Sequence, residues 1–187
     1  MVQKRNNNLN LEILLVLIKQ ETHLREISRI LKASHSTVLR EINKLARENI
    51  LDYKKQGKNN VYFIKNNLLA KQFIYKAERY KIIKLLEKYP KLTVIFDEVL
   101  KNINENLVII FGSYAKFIAK ENSDIDLYIG TDNRNLKEKL KGINSKINLK
   151  TGKFDLDSLL IKEIIKNHII LRGIEEFYEK IKFFEKT

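Results

Sequence analysis

The sequence predicts an α+β protein in two parts: a helical N-terminal part that ends in a β-hairpin, and a C-terminal part with its own sheet. Three helical repeats of apolar residues fall within the first 50 residues, and two runs rich in β-forming residues follow them up to Ile64. Further along, the apolar run Leu107–Phe111 precedes a glycine and a second strand-like run. A length of 187 residues allows one domain or two small ones.

The composition narrows the classes of partner and of chemistry. Basic residues outnumber acidic ones by 36 to 23, and the resulting net charge of +13 favours nucleic acid or nucleotide phosphate. The sequence has no cysteine, which excludes disulfides, iron–sulfur clusters, thiolate zinc sites and cysteine nucleophiles. The lack of cysteine is also compatible with the cytoplasm, where we expect the protein. The longest apolar runs, Ile13–Ile18 and Leu107–Phe111, fall far short of the roughly 20 residues of a membrane span. We therefore expect no membrane partner.

Three helices are predicted near the N-terminus. Apolar residues recur at helical spacing over Leu11–Ile18, Leu24–Leu31 and Val38–Leu45, and the third helix begins after Ser34 or Ser36, both good N-cap residues. Only three residues separate the second helix from the third. This spacing predicts a steep crossing of two short helices, as in a helix-turn-helix.

A basic hairpin follows the helices. Ile50–Tyr53 and Val61–Ile64 are predicted strands, joined by a loop over residues 54–60 that contains three lysines. Three helices followed by such a hairpin resemble a winged helix-turn-helix domain, which we place at residues 1–66. The resemblance implies duplex DNA as a partner and leaves open a homodimer.

The predicted DNA interface combines the third helix with the hairpin. Side chains opposite the apolar stripe of the helix would face the major groove, flanking ones would contact phosphates, and the hairpin lysines would add charge. The candidate residues are Ser36, Thr37, Arg40, Asn43, Lys44, Arg47, Lys54, Lys55 and Lys58. The alternatives are a charged face that is simply solvated and a domain that docks a protein.

Residues 67–105 are predicted to be a helical linker and the leading helix of a second domain. One helical pattern runs from Leu68 to Tyr89 and is stopped by Pro90, and another covers about Leu92–Ile103. The second domain would then occupy residues 106–187.

A glycine-serine turn and a pair of aspartates make up the chemical constellation of the second domain. Gly112 and Ser113 end the first predicted strand, a short helix is expected over Tyr114–Lys120, and the next strand covers Asn122–Ile129. Asp124 and Asp126 alternate with apolar residues, so they share one face about 6.6 Å apart, where a divalent cation would relieve their repulsion. The open backbone of the turn suits phosphate oxygens. Together the parts would hold a nucleoside triphosphate with Mg²⁺ at its α-phosphate.

The pattern Gly-Ser, ten residues, Asp-x-Asp resembles the minimal nucleotidyltransferases of the DNA polymerase β-like superfamily. The match covers about residues 106–187 and implies a small domain with a mixed sheet. In the family a third carboxylate lies on a later strand between apolar residues; Asp155 is favoured and Asp157 is the alternative. The family usually has a glycine where this chain has Phe117, and this departure concerns the loop that closes over the nucleotide.

The resemblance implies the roles of the candidate residues. Asp124, Asp126 and Asp155 would hold two Mg²⁺ ions and carry the catalysis. Gly112 and Ser113 would bind the nucleotide, and Lys116 would help to neutralise phosphate, with a plain surface lysine as the alternative interpretation.

The leading functional hypothesis is transfer of a nucleoside monophosphate from ATP or another nucleoside triphosphate to a hydroxyl of a protein or an RNA, as in antitoxins that modify a partner toxin. A competing hypothesis is a DNA-binding regulator whose transferase fold only senses nucleotide. A third interpretation makes the second domain a protein-interaction scaffold without a ligand.

Overall fold

The computed structural model describes residues 8–133 and 135–185. The chain divides between Ala77 and Glu78 into two compact units. This boundary lies inside a long helix, and the division that we expect at residues 66 and 105 stays a prediction. None of the helices in the described ranges has the length and apolar character that a membrane crossing requires.

Among its described residues, the first unit has three complete helices and a three-stranded antiparallel sheet in the order β1-β3-β2. This is the arrangement of a winged helix-turn-helix. Its elements are α1 (Leu9–Lys19), β1 (Thr22–His23), α2 (Leu24–Leu31), α3 (His35–Arg47), β2 (Leu51–Gln56) and β3 (Asn59–Ile64), and α4 (Leu68–Lys88) begins here and continues into the second unit.

Local capping fixes where the helices of the first unit begin. Ser34 is the N-cap of α3, and its Oγ accepts a hydrogen bond from the backbone N–H of Thr37 at 3.2 Å. His23 caps α2 in the same way, through Nδ1 and the N–H of Glu26. Val38, Ile42 and Leu45 are buried, as the helical periodicity predicted.

The hairpin differs from the expectation because its strands are longer. Pairing continues as far as Gln56 opposite Asn59, so only Gly57 and Lys58 form the turn, and Gly57 has a φ of +60°. The added strand positions, 54–56 and 59–60, carry polar side chains, so a prediction based on β-forming residues does not include them. The two-residue strand β1 was also not predicted, because it exists only through its pairing with β3.

The second unit contains a four-stranded mixed sheet in the order β6-β5-β4-β7, in which β5 and β6 are parallel and the other pairs antiparallel. The mixed sheet confirms the expectation. Beyond α4, the elements are α5 (Leu92–Lys101), β4 (Val108–Ile110), α6 (Gly112–Ala115), β5 (Ile125–Ile129), α7 (Leu136–Ile143), β6 (Ile147–Thr151), α8 (Leu159–Lys166), β7 (Ile169–Arg172), α9 (Ile174–Lys180) and a 3₁₀ turn (Phe183–Glu185).

The helix expected over Tyr114–Lys120 is wrong in extent, since α6 begins at Gly112 and ends at Ala115. Phe117 has a left-handed φ of +58°, and the N–H of Ile118 donates to the carbonyl of Ser113 at 3.0 Å, which closes the helix in a Schellman motif. Glycine is the usual residue in that conformation, which costs other residues about 1–2 kcal/mol. Phe117 therefore has the backbone conformation that glycine usually adopts at the end of a helix.

A buried charged cluster joins α4 to the C-terminal elements of the second unit. Glu78 is fully buried, and its carboxylate lies 2.7 Å from Nζ of Lys81, 3.5 Å from Nε2 of His168 and accepts a hydrogen bond of 2.8 Å from the hydroxyl of Tyr178. Burial alone would raise the pKa of Glu78, but the charge of Lys81 and the contact with His168 outweigh it and hold that pKa at about 2. The carboxylate therefore stays ionised in the folded protein.

Replacing Glu78 with glutamine is expected to destabilise the protein near neutral pH. Because the pKa of Glu78 is about 2 in the folded protein and its ordinary value is 4.5, the stabilisation is present above pH 4.5 and is lost as the pH falls through about 2. The difference in free energy of unfolding from the wild type should be about 3 kcal/mol at pH 7 and shrink towards pH 2. Urea unfolding at several pH values measures it, with Glu87→Gln, an exposed change on the same helix, as the control.

Candidate functional site

The glycine-serine turn lies directly beside Asp126, the second aspartate of the motif. β4 ends at Ile110, and the N–H of Phe111 still donates to the carbonyl of Asp126 on the neighbouring strand β5 at 3.0 Å. Gly112 follows with a φ of +67°, and a Cβ atom at this position would lie 2.1 Å from Oδ2 of Asp126. Only glycine fits both the backbone conformation and the carboxylate beside it.

The two aspartates of the motif lie where alternation along a strand predicts. Asp124 is exposed just before β5 and Asp126 is half-buried, whereas Ile125 and Leu127 are buried in the core. Within the described part of the chain, no lysine or arginine forms an ion pair with either carboxylate. The motif therefore presents two negative charges that a cation could neutralise.

A residue that the sequence did not single out lies directly beside Asp126. β6 runs parallel to β5 with Asn148 opposite Asp126, and Nδ2 of Asn148 donates a hydrogen bond to Oδ1 of Asp126 at 2.8 Å. Its neighbours Ile147 and Leu149 are buried. A polar residue between two apolar ones in a strand is a usable sequence signal, but a pattern of acidic residues does not include an asparagine.

Asp155 does not lie on a strand, contrary to the expectation for a third carboxylate. It is exposed in the loop between β6 and α8, where its Oδ1 accepts the N–H of Asp157 at 3.0 Å. The carbonyl of Asp155 also accepts the N–H of Ser158, so this Asp-x-Asp-Ser stretch forms a local turn and not an extended strand. Asp157 is exposed as well.

Lys116 lies one turn beyond the glycine-serine pair. Its Nζ forms an ion pair of 3.1 Å with Glu163 on α8, and both side chains are partly exposed. Before it could neutralise a phosphate, Lys116 would have to leave this carboxylate, and its role at the nucleotide stays a prediction.

The fit of the site to magnesium rests on two carboxylates, those of Asp124 and Asp126. Mg²⁺ is commonly held by one or two carboxylates together with substrate phosphates, and Asp124 and Asp126 meet that need. In the described ranges no group of three His, Asp or Glu side chains is placed to hold a metal. The arrangement with three carboxylates and two ions, which the resemblance implies, is therefore not brought together by these residues.

The candidate DNA interface is a polar surface of the first unit. All the predicted α3 residues except the half-buried Thr37 are exposed, and so are the three hairpin lysines. Glu41 lies 3.4 Å from Arg40 and 3.0 Å from Lys44, and Lys54 pairs with Glu21. The basic side chains are therefore exposed, and several of them form ion pairs with acidic neighbours.

Comparison with known proteins identifies the second unit. A family model described as "Polymerase beta, Nucleotidyltransferase" matches residues 80–176. No curated protein matches the chain. The crystal structure of the adhesin competence repressor AdcR from Streptococcus pyogenes is similar at a TM-score of 0.37, with 15% identity over 55% of this chain and 71% of that one. A likeness at this level does not by itself identify a fold.

Proposed function

The chain belongs to the polymerase beta nucleotidyltransferase family, and from that premise we propose that its second unit transfers a nucleoside monophosphate from a triphosphate to a hydroxyl. The contact between Gly112 and Asp126 carries this proposal, because it sets an open turn for phosphate beside a carboxylate for the cation. Asp124 and Asp126 would hold Mg²⁺, and the backbone of Gly112 and Ser113 would receive the triphosphate. When bound, the ion would neutralise charge that develops on the phosphate oxygens.

We propose ATP as the donor, AMP as the transferred group and a macromolecular hydroxyl as the acceptor. A protein side chain, as in antitoxin-like modification of a partner, is the first choice and an RNA end the second. The first unit would bind duplex DNA through α3 and the hairpin turn. The exposed basic side chains of that surface support this assignment, since the phosphate backbone of DNA dominates such affinities.

The experiment is transfer of label from α-³²P-ATP in Mg²⁺, with the purified full chain and cell extract as a source of acceptors. Labelled material that appears with the wild type and not with the double variant Asp124→Ala/Asp126→Ala supports the transferase. Digestion of the product with protease or with ribonuclease separates a protein acceptor from an RNA one. A label that the double variant still transfers would contradict the assignment of this site.

A second candidate function is a DNA-binding regulator that senses nucleotide without transferring it. The amide of Asn148 favours it, because the side chain nearest to Asp126 on β6 is a hydrogen-bond donor and not a third anionic ligand. This candidate expects no label transfer from any of the four nucleotides, a melting temperature that rises with MgATP, and a DNA affinity that changes with nucleotide. Equal DNA affinity with and without nucleotide would count against it.

A further inference from the structure

The first unit contains a polar cleft of about 400 Å³, and Lys58 is the predicted DNA contact that lies in its lining among the described residues. The start of α2, the first residue of α3 and the end of the hairpin all contribute to its wall. Its lining includes two histidines, two basic residues and two asparagines: His23, His35, Arg25, Lys58, Asn59 and Asn60. Arg25 was not singled out in the sequence.

The lining is rich in hydrogen-bond donors, and none of the described residues that form it is Asp or Glu. Because Nδ1 of His23 accepts the N–H of Glu26, the neutral ring carries its proton on Nε2 and can donate through that atom. In the described part of the chain no hydrogen bond or ion pair engages the side chains of Arg25 and Lys58, so both cations are available to a ligand.

The acidic side chains closest in sequence to the cleft are already neutralised. Both carboxylate oxygens of Glu26 accept hydrogen bonds from Arg29, at 2.6 and 2.8 Å, and Glu21 is paired with Lys54. The charge presented by the cleft is therefore positive, and this donor set suits the oxygens of a phosphate.

The position of the cleft indicates which kind of molecule would supply the phosphate. His35 directly precedes Ser36 on the α3 face, and Lys58 forms the tip of the hairpin together with Gly57. A duplex that contacts α3 and the hairpin at the same time must pass over the space between them. We infer that the cleft binds a backbone phosphate of duplex DNA, with Arg25 as a principal ligand; this rests on the proposed DNA binding.

The test is fluorescence anisotropy of a labelled duplex of arbitrary sequence, titrated with the full chain from 50 to 200 mM salt. Loss of one phosphate contact lowers the salt slope by about 0.9, so Arg25→Ala should lower it by about one and weaken binding roughly fivefold to tenfold at the low-salt end. Arg25→Lys keeps the charge and should retain most of the slope. Arg79→Ala, an exposed arginine of the second unit, is the matched control and should leave both quantities unchanged.

The outcomes separate this inference from the proposed function. If the wild type does not bind DNA even at 50 mM salt, DNA binding itself fails. If the wild type binds and Arg25→Ala shows the same slope and affinity, the cleft assignment is overturned. A change in the ATP-induced melting shift of Arg25→Ala with an unchanged DNA slope would instead mean that the cleft holds a free nucleotide, and it would overturn the inference too.

Discussion

Replacing Gly112 with alanine is expected to abolish nucleotide binding by the second unit. A methyl group there would lie 2.1 Å from Oδ2 of Asp126, a distance that no packed structure tolerates, and alanine would also have to keep a φ of +67°. The left-handed conformation costs a non-glycine residue about 1–2 kcal/mol, and relief of the clash must displace either the turn or the carboxylate. Both are parts of the proposed site, so MgATP should no longer raise the melting temperature.

Gly142→Ala is the matched control for this change. Gly142 lies on α7 in the same unit, and no atom lies within 4 Å of the position of an added Cβ. The substitution also places alanine, a better helix former than glycine, in a helix. We expect it to keep the full MgATP-induced rise. If Gly112→Ala behaves like Gly142→Ala, the turn does not take part in nucleotide binding and the proposed site is wrong.

The parts of the molecule predicted from the sequence are those fixed by neighbouring residues. Ser34 caps α3 through the N–H three residues on, Pro90 follows the end of α4, and Gly112 meets Asp126 because β4 and β5 are consecutive strands that pair. Each depends on a short stretch of chain, so spacing and residue type are enough to predict it.

The features that the sequence did not predict depend on contacts between elements that are far apart in the chain. Asn148 becomes part of the site only because β6 lies parallel to β5 in a register that sets it opposite Asp126. Arg25 faces the polar cleft only because α2, α3 and the hairpin converge there. Asp155 looked suitable from its apolar neighbours, but Leu156 is 39% exposed and the stretch is a turn. The sequence identifies the chemical type of each side chain, but it does not give the register in which distant strands pair.

Replacing Asn148 with aspartate is expected to create the third carboxylate that the described residues do not bring to the site. An oxygen at the position of Nδ2 would lie about 2.8 Å from Oδ1 of Asp126, where two negative charges repel each other unless a proton or a cation lies between them. The variant should therefore melt at a lower temperature than the wild type in EDTA, and Mg²⁺ should restore it. This shift measures ion binding without any catalytic readout.

If the wild-type amide is what limits the chemistry, the same variant should transfer nucleotide about 10³-fold faster, within the range that a positioned catalytic group supplies. Asn104→Asp, which adds the same charge at an exposed position before β4, is the control and should change neither the rate nor the response to Mg²⁺. A large gain would mean that the wild-type site is arranged to hold nucleotide more than to consume it, which favours the regulator. A fast wild type that Asn148→Asp does not improve would show that two carboxylates suffice, and the transferase would then be the better account.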